Sequence, residues 1–401
     1  MRILLCSTSL LAKTGYGRVC RELIKRSSGE HEIIAVDMES PILVYGAKDW
    51  VDIDGVKVLV VGCPNPLASP SSAAEILRLY FQRYEADAML FHWDVWAIGD
   101  VARNTLCPFI LYCPIDAELT RKWASYFEGA LRIVAYSRFG YKQLRRFFPP
   151  SQLSLIYHGV DVDVFRPLDE EKRVLRAKIE AYPPIPEDCF LFVCTAANFG
   201  QRKCLPQLLY VFSKVVKECR DAHLYLHTTP NARRGFDLLM LVEELGLKDR
   251  VHFPPSNILF PISDEDFATI YNAADVYVSL SQIEGFGLPL LEAAACGVPL
   301  IAHGGGAQQE IVEGAGGWVV ESVERDVWVE FPSYVPTLQQ NPCPNLRDAV
   351  EKMIFAASHP EECERRGRRA REFALNFDWR RISQQWLSLL EEVEEELQTW
   401  R

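Results

Sequence analysis

The sequence is short of several things, and each shortage removes a class of protein. Its 12 cysteines form no C-x-x-C pair, so zinc ribbons and dithiol redox motifs find no frame. A chain of 401 residues that is 49% hydrophobic also needs no disulfide staples, and its cysteines read as reduced, buried thiols of a cytosolic protein. No apolar run approaches the ~20 residues of a membrane span. The opening Met1-Arg-Ile-Leu-Leu-Cys-Ser has a short, leader-like apolar stretch, but it runs into a glycine turn and reads as a first buried strand. Positive charge is not in excess: 43 Lys and Arg stand against 54 Asp and Glu, a net charge of −11. That argues against a general nucleic-acid binder, which needs a basic face toward phosphates. There is no G-x-G-x-x-G, no repeat of solenoid period and no low-complexity tract, which weakens nicotinamide-binding and solenoid readings.

What the chain does have is alternation. Ile3–Cys6, Ile33–Val36, Val56–Val61, Ala88–His92, Phe109–Tyr112, Ile133–Ala135 and Leu153–Ile156 read as buried strands. Helical patterns such as Ala73–Tyr84 and Gly140–Phe147 separate most of them, which predicts parallel strands with crossover helices. The pattern breaks over Arg166–Asp188, a charged stretch holding Pro167, Pro183, Pro184 and Pro186, which reads as an interdomain segment. A second α/β series follows, with strands at Phe190–Ala196, His223–His227, Val251–Phe253, Val276–Leu280 and Pro299–Ala302. Helices are predicted at Leu205–Cys219, Phe236–Leu245, Asp264–Ala273 and Pro289–Cys296. Two successive parallel α/β sheets are the economical reading. The tail from Glu361 is helical and rich in Glu and Arg, as solvated helix faces are.

The densest chemistry lies between Asp275 and Gly306. A buried strand, Val276-Tyr-Val-Ser-Leu, leads into Ser281-Gln-Ile-Glu-Gly-Phe-Gly-Leu and then a helix starting near Pro289 and ending at Gly297. Gly285 and Gly287 remove side chains, so backbone N–H groups can approach a ligand closely. The helix start adds unsatisfied donors and partial positive charge, which suits a diphosphate. Glu284 and Glu292 flank this turn, and carboxylates accept well from pairs of sugar hydroxyls. A second loop, Thr195-Ala-Ala-Asn-Phe-Gly-Gln-Arg-Lys203, follows another strand. Its Arg202 and Lys203 could stabilise negative charge developing on a leaving diphosphate. A third, His303-Gly-Gly-Gly-Ala-Gln-Gln-Glu310, has the same strand–loop–helix form.

The run Glu284-Gly-Phe-Gly-Leu-Pro-Leu-Leu-Glu292-Ala resembles the two-glutamate, seven-residue-spaced motif of family-four retaining glycosyltransferases, the group 1 enzymes akin to glycogen and sucrose synthases. The flanking AADVYVSLS and CGVPLIA strengthen it. The resemblance implies a GT-B fold: two Rossmann-like parallel-sheet domains facing across a cleft. The first would span 1–165, completed by a returning helix over 380–401, and the second 166–379. It implies transfer of a hexose from a nucleotide sugar, UDP- or GDP-linked, with retention at the anomeric carbon, and neither metal nor further cofactor.

By the same resemblance Glu284 meets the transferred sugar and Glu292 the nucleotide ribose. Backbone of Gly285, Phe286, Gly287 and Leu288 meets sugar and phosphate oxygens. The family usually carries arginine five residues before the lysine, where this chain has Asn198, and glycine after it, where this chain has Cys204; by its position Asn198 is a donor-binding candidate, and Arg202 is a candidate for the missing charge. The loop ending at Glu310 resembles the family segment beside the donor pocket, with Glu310 either a ligand or a structural cap, and the base is expected near Thr228 and Phe253. In the first domain the glycine turn Gly15-Tyr-Gly17-Arg18 would approach the diphosphate. Asp116, in Cys113-Pro-Ile-Asp116, stands near where many relatives have a histidine; it is expected either to orient the acceptor hydroxyl or stabilise positive charge at the anomeric carbon, or to cap a helix, and His92 is the other candidate. In Tyr157-His-Gly-Val-Asp161-Val-Asp163, His158 replaces the usual asparagine, and the D-x-D is ascribed to the linker rather than to a metal. The cation–aromatic runs Arg138-Phe-Gly-Tyr-Lys and Arg145-Arg-Phe-Phe leave room for a peripheral membrane contact. The acceptor is not legible. The competing expectation is a non-catalytic nucleotide-sugar-binding subunit of this fold; an epimerase or a phosphorylase fits the motif less well.

Overall fold

The computed structural model of the chain describes residues 1–12, 14–39, 48–255, 262–323, 329–330, 338–339 and 342–400. They form two compact units, Met1–Gly159 with Trp379–Arg401, and Val160–Asp378.

The first unit is built on an eight-stranded sheet. Its strands are β1 (Arg2–Ser7), β2 (Glu32–Asp37), β3 (Lys48–Ile53), β4 (Val56–Gly62), β5 (Ala88–His92), β6 (Phe109–Tyr112), β7 (Arg132–Ala135) and β8 (Leu153–Leu155). The order is β3-β4-β2-β1-β5-β6-β7-β8. Every pairing is parallel except β3 with β4. The parallel strands are apolar because helices cover both faces, and β1, β5 and β6 are buried almost throughout. The sequence reading omits β3. Its run KDWVDI mixes three charged residues with three apolar ones and so lacks the unbroken apolar run of a central strand. The turn into β4 is Asp54-Gly55, with φ of 49° and 87°, the two left-handed positions of a tight hairpin that Asp-Gly favours.

The second unit carries β9 (Phe190–Thr195), β10 (Ala222–His227), β11 (Val251–His252), β12 (Val276–Ser279), β13 (Leu300–His303) and β14 (Trp318–Val320). They form one parallel sheet in the order β11-β10-β9-β12-β13-β14. The helix Leu205–Glu218 has Pro206 in its first turn and buries Leu208, Leu209, Phe212 and Val215. That stripe packs with Phe192, Leu224, Val278 and Ile301 in a single core. The predicted helix at Phe236 begins only at Leu238, because Asp237 caps it by accepting the Met240 N–H. β14 is a further strand absent from the sequence reading; three residues behind a glycine pair give little signal.

The break between units falls at Gly159/Val160, six residues earlier than expected, and local chemistry explains it. The Val160 N–H donates to the Phe377 carbonyl at 2.8 Å. Arg371 donates to the Phe165 and Val162 carbonyls, and the Phe165 ring packs on Tyr271. Residues 160–165 thus belong to the second unit. At the other junction a Cβ on Gly159 would stand 2.4 Å from the Trp379 ring, so glycine is required there. The helix Trp379–Trp400 lies with the first unit: Trp386 meets Tyr112 edge-on at 4.7 Å, and Arg132 pairs with Glu396 at 2.7 Å. Among the described residues no helix is long and apolar enough to cross a membrane. In the cation–aromatic stretch, Arg146 pairs with Glu118 and Phe148 packs on Phe127.

Candidate functional site

The strand order of the second unit decides where a ligand can sit. Numbered within the unit it is 3-2-1-4-5-6, with the reversal between β9 and β12. Crossovers leave these two neighbours in opposite directions, so the loops at their carboxyl ends part and open a crevice. The loops are 196–203 and 280–287, the two that carry the densest motifs.

Three charged side chains meet there. The Lys203 ammonium donates to Glu284 Oε1 at 2.5 Å, and the Arg202 guanidinium to Glu284 Oε2 at 2.9 Å. Arg202 also donates to the Ile283 carbonyl, while its own carbonyl accepts the Gln282 N–H at 2.8 Å. The loops are therefore joined through backbone as well as through charge. The carboxylate is largely enclosed, and the guanidinium is the most open of the three, at 33%. Burial alone would raise the Glu284 pKa. Lys203 and Arg202 outweigh it and, with the Ser281 hydroxyl, hold it at about 2. Burial lowers the Lys203 pKa, against the pull of Glu284. Two cations on one carboxylate leave an excess of positive charge, suited to a phosphorylated ligand.

The helix Leu288–Ala295 starts from Gly287 at φ 104°, a left-handed conformation that needs glycine. Pro289 has no N–H, and those of Leu290 and Leu291 return to the Gly287 carbonyl. The N–H of Leu288 is left at the helix mouth. Phe286 is buried, its ring 6.5 Å from that of Phe377. Glu292 is buried in the second turn and accepts from the Tyr271 hydroxyl at 2.9 Å, which in turn meets Thr195 Oγ1 at 3.2 Å. Asn198 turns inward, against the neighbouring loop 229–236. Cys204 holds φ 49° with its side chain buried, a conformation that glycine adopts without strain. Thr228 and Phe253 lie buried at the ends of β10 and β11. Glu310 sits in the first turn of the helix Gln308–Gly314.

A supporting layer absent from the sequence reading holds the Glu284 loop. His303 Nδ1 faces the Ser281 carbonyl at 3.0 Å, and its Nε2 the Ser322 hydroxyl at 2.9 Å. The Gln308 amide donates to the same Ser281 carbonyl at 2.6 Å. Gly305 lets the third loop close on the first: a Cβ there would lie 2.1 Å from the Gln282 carbonyl oxygen and 2.7 Å from the His303 ring. Gly305→Ala is expected to destabilise the protein by about 1–3 kcal/mol and to shift the Glu284 loop. A melting curve unchanged from wild type would contradict that contact.

In the first unit the candidates gather at the carboxyl ends of β1, β5 and β6. Gly17 lies in the helix Gly15–Ser27, and a Cβ on it would stand 2.1 Å from the Ala12 carbonyl oxygen, so its smallness serves the fold of that turn. Arg18 is the next residue on that helix. His92 is buried; its Nδ1 faces the Tyr112 carbonyl at 2.8 Å, and its ring meets Tyr16 edge-on. His158 Nδ1 lies 2.6 Å from the Tyr112 hydroxyl. Asp116 is close enough to Tyr16 and Tyr136 to add to the rise in their pKa values, which burial dominates. The second unit's Asp161 accepts the N–H groups of Asp163 and Val164, a turn cap. Among the described residues no group of three or more His, Cys, Asp or Glu could hold a metal ion.

Residues 184–330 match the family model described as glycosyl transferases group 1. D-inositol 3-phosphate glycosyltransferases of Mycobacterium bovis and Mycobacterium tuberculosis are 30% identical over 197 residues. The match covers 48% of this chain and 38% of those proteins, so the chain spans under half of these relatives' length. Sucrose-phosphate synthase from Thermosynechococcus elongatus superposes with a TM-score of 0.77 at 19% identity, covering 99% of this chain and 100% of that one. Anabaena HepE, solved in complex with UDP and glucose, gives 0.72 at 15% identity, covering 98% and 100%. These likenesses show the fold, two parallel-sheet α/β domains of the GT-B type.

Proposed function

Because residues 184–330 belong to the group 1 glycosyltransferases, we propose that the chain transfers a hexose from a nucleotide sugar, with retention at the anomeric carbon. The observation that carries this reading is the convergence of Arg202 and Lys203 on Glu284 at the reversal point of a parallel sheet. Glu284 would accept from hydroxyls of the transferred sugar. The turn from Gly285 to Leu288 would present backbone N–H groups to the diphosphate. Glu292 would meet the ribose. Arg202 and Lys203 would stabilise the charge left on the diphosphate.

In the reaction the bond from the anomeric carbon to the diphosphate oxygen breaks. A bond to the acceptor hydroxyl oxygen forms on the same face, and the released diphosphate takes the hydroxyl proton. The two cations supply the charge a metal would, so chelation is expected to leave the rate unchanged. Asp116, on the acceptor side, would orient the acceptor hydroxyl, and Gly17 would lie by the diphosphate. A cytoplasmic setting, and any peripheral membrane contact through the cation–aromatic stretch, belong to this proposal.

UDP or GDP is the expected nucleotide. HepE is solved with UDP and glucose, which favours UDP. Saturating UDP should raise the melting temperature by several degrees, since ligand at 100 times its Kd adds about 2.7 kcal/mol. No shift with UDP, GDP or ADP would refute a nucleotide site. The second reading, a non-catalytic nucleotide-sugar-binding subunit, draws on Asn198 in place of the family arginine. It predicts a melting shift with no slow hydrolysis of the donor.

A further inference from the structure

Asn198 stands where the family resemblance expects a cation, yet its side chain is spent elsewhere. It is 6% exposed. Its amide nitrogen donates to the carbonyls of Thr229 at 3.0 Å and Phe236 at 2.7 Å, and its amide oxygen accepts the Phe236 N–H at 2.9 Å. Two residues on, the Gly200 N–H donates to the Arg234 carbonyl at 3.0 Å. The opposing loop approaches too closely for a side chain to fit between. A Cβ on Gly235 would stand 2.3 Å from both the Asn198 carbonyl oxygen and its Oδ1.

The pattern demands one kind of side chain. The carbonyls need a donor and the Phe236 N–H needs an acceptor. A carboxylate has no donor and a guanidinium no acceptor, whereas the amide has both, with two N–H groups for the two carbonyls. The loop 196–203 is then held at two ends: at Asn198 by the loop 229–236, and at Arg202 by the Gln282 N–H. Arg202 and Lys203 extend from the span between these anchors and the helix that follows.

We propose that Asn198 is a positioning residue that locks loop 229–236 onto the loop carrying Arg202 and Lys203, and that Arg202 supplies the cation the family places at position 198. The kinetic part rests on the reading of this unit as a donor site; the lock itself does not.

The test uses the full chain and the variants Asn198→Ala, Asn198→Asp, Asn198→Arg, Gly235→Ala and Arg202→Ala. Amide exchange at Gly200 and Phe236 is expected to quicken roughly tenfold in Asn198→Ala, Asn198→Asp and Gly235→Ala, the scale of one or two lost hydrogen bonds. Displacing two cations by a fraction of an ångström should lower kcat about 10- to 100-fold, with a smaller change in donor KM. Asn198→Ala and Gly235→Ala act on one contact, so their melting shifts should not add. Arg202→Ala should lower kcat about 100-fold without quickening exchange at Phe236. Asn198→Arg should behave like the alanine variant. Turnover at or above wild type in Asn198→Arg would overturn the proposal. So would an Asn198→Ala whose exchange is unchanged and whose only defect is a raised donor KM. Should the wild-type chain transfer no sugar at all, the donor reading fails, while exchange rates and melting shifts still decide the lock.

Discussion

Lys203→Ala is expected to turn over roughly 100- to 1,000-fold more slowly than the native chain, the scale of losing one preorganised charge donor, while melting close to the wild-type temperature. The kinetic loss follows from where the ammonium is held. At rest it is 2.5 Å from Glu284 Oε1, at the crevice between β9 and β12. Burial weakens its hold on its own proton, so the site keeps it charged through nearby negative charge, and a departing diphosphate adds more. The small effect on stability follows from redundancy. Arg202 still donates to Glu284 Oε2 at 2.9 Å, so the buried carboxylate is not left alone, and the ammonium retains 18% exposure. Removing the only partner of a buried charge costs about 3–5 kcal/mol; removing one of two partly open partners costs much less. Lys203→Arg keeps the charge but brings a planar fork to a point contact, and should recover only part of the rate. Steady-state kinetics beside thermal melts decide the matter: near-normal turnover by Lys203→Ala removes the leaving-group role.

The sequence made some parts of this molecule plain for physical reasons. Strands buried on both faces, such as Phe190–Thr195 and Ala88–His92, are unbroken apolar runs, and those stand out. The strand β3 does not, because Asp49 and Asp52 interrupt its apolar residues, and only the Asp54-Gly55 turn marks it. The glycines at 285 and 287 mark a turn of unusual backbone, and Gly287 holds φ 104° at the start of the helix. That Lys203 would touch Glu284 cannot be read from spacing, since 81 positions separate them; the family resemblance brought them together. Asn198 shows the limit of that resemblance. Position placed it among donor ligands, whereas its hydrogen bonds run to main-chain groups of a loop 31 to 38 residues away. His303 and Gln308, which hold the Ser281 carbonyl, gave no signal because a buried polar side chain looks like any other until its partner is known.

Acidification should destabilise both units before most carboxylates protonate. In the second unit, Arg250 donates to His223 Nε2 at 3.2 Å, His223 Nδ1 meets His252 Nε2 at 2.9 Å, and His252 Nδ1 meets the Pro183 carbonyl at 2.7 Å. A guanidinium only donates and a carbonyl only accepts, so every proton in the chain is placed. Each ring carries hydrogen on Nδ1 and accepts on Nε2. A further proton must land on a nitrogen that is already accepting, and two donors then face each other. Burial, His252 and Arg250 together bring the His223 pKa to about 4, against a small opposing pull from Asp221. Burial lowers His252 as well. In the first unit burial brings His92 to about 4, and His158 lies well below its ordinary value. The unfolded chain protonates these rings near pH 6.5, so it binds more protons than the folded chain below that pH. Stability is therefore complete above about pH 6.5 and is lost as the pH falls toward 4. His92 and His223 are 1% and 6% exposed, and each contributes about 3 kcal/mol at the bottom of that window. Melting temperatures recorded from pH 7.5 to 4 should fall steadily. A His223→Gln variant, weaker at neutral pH, should fall less over the same range. A wild-type melting temperature that stays level down to pH 4 would show that these rings take up protons as readily in the folded chain as in the unfolded one, and that the hydrogen-bond order assigned to them is wrong.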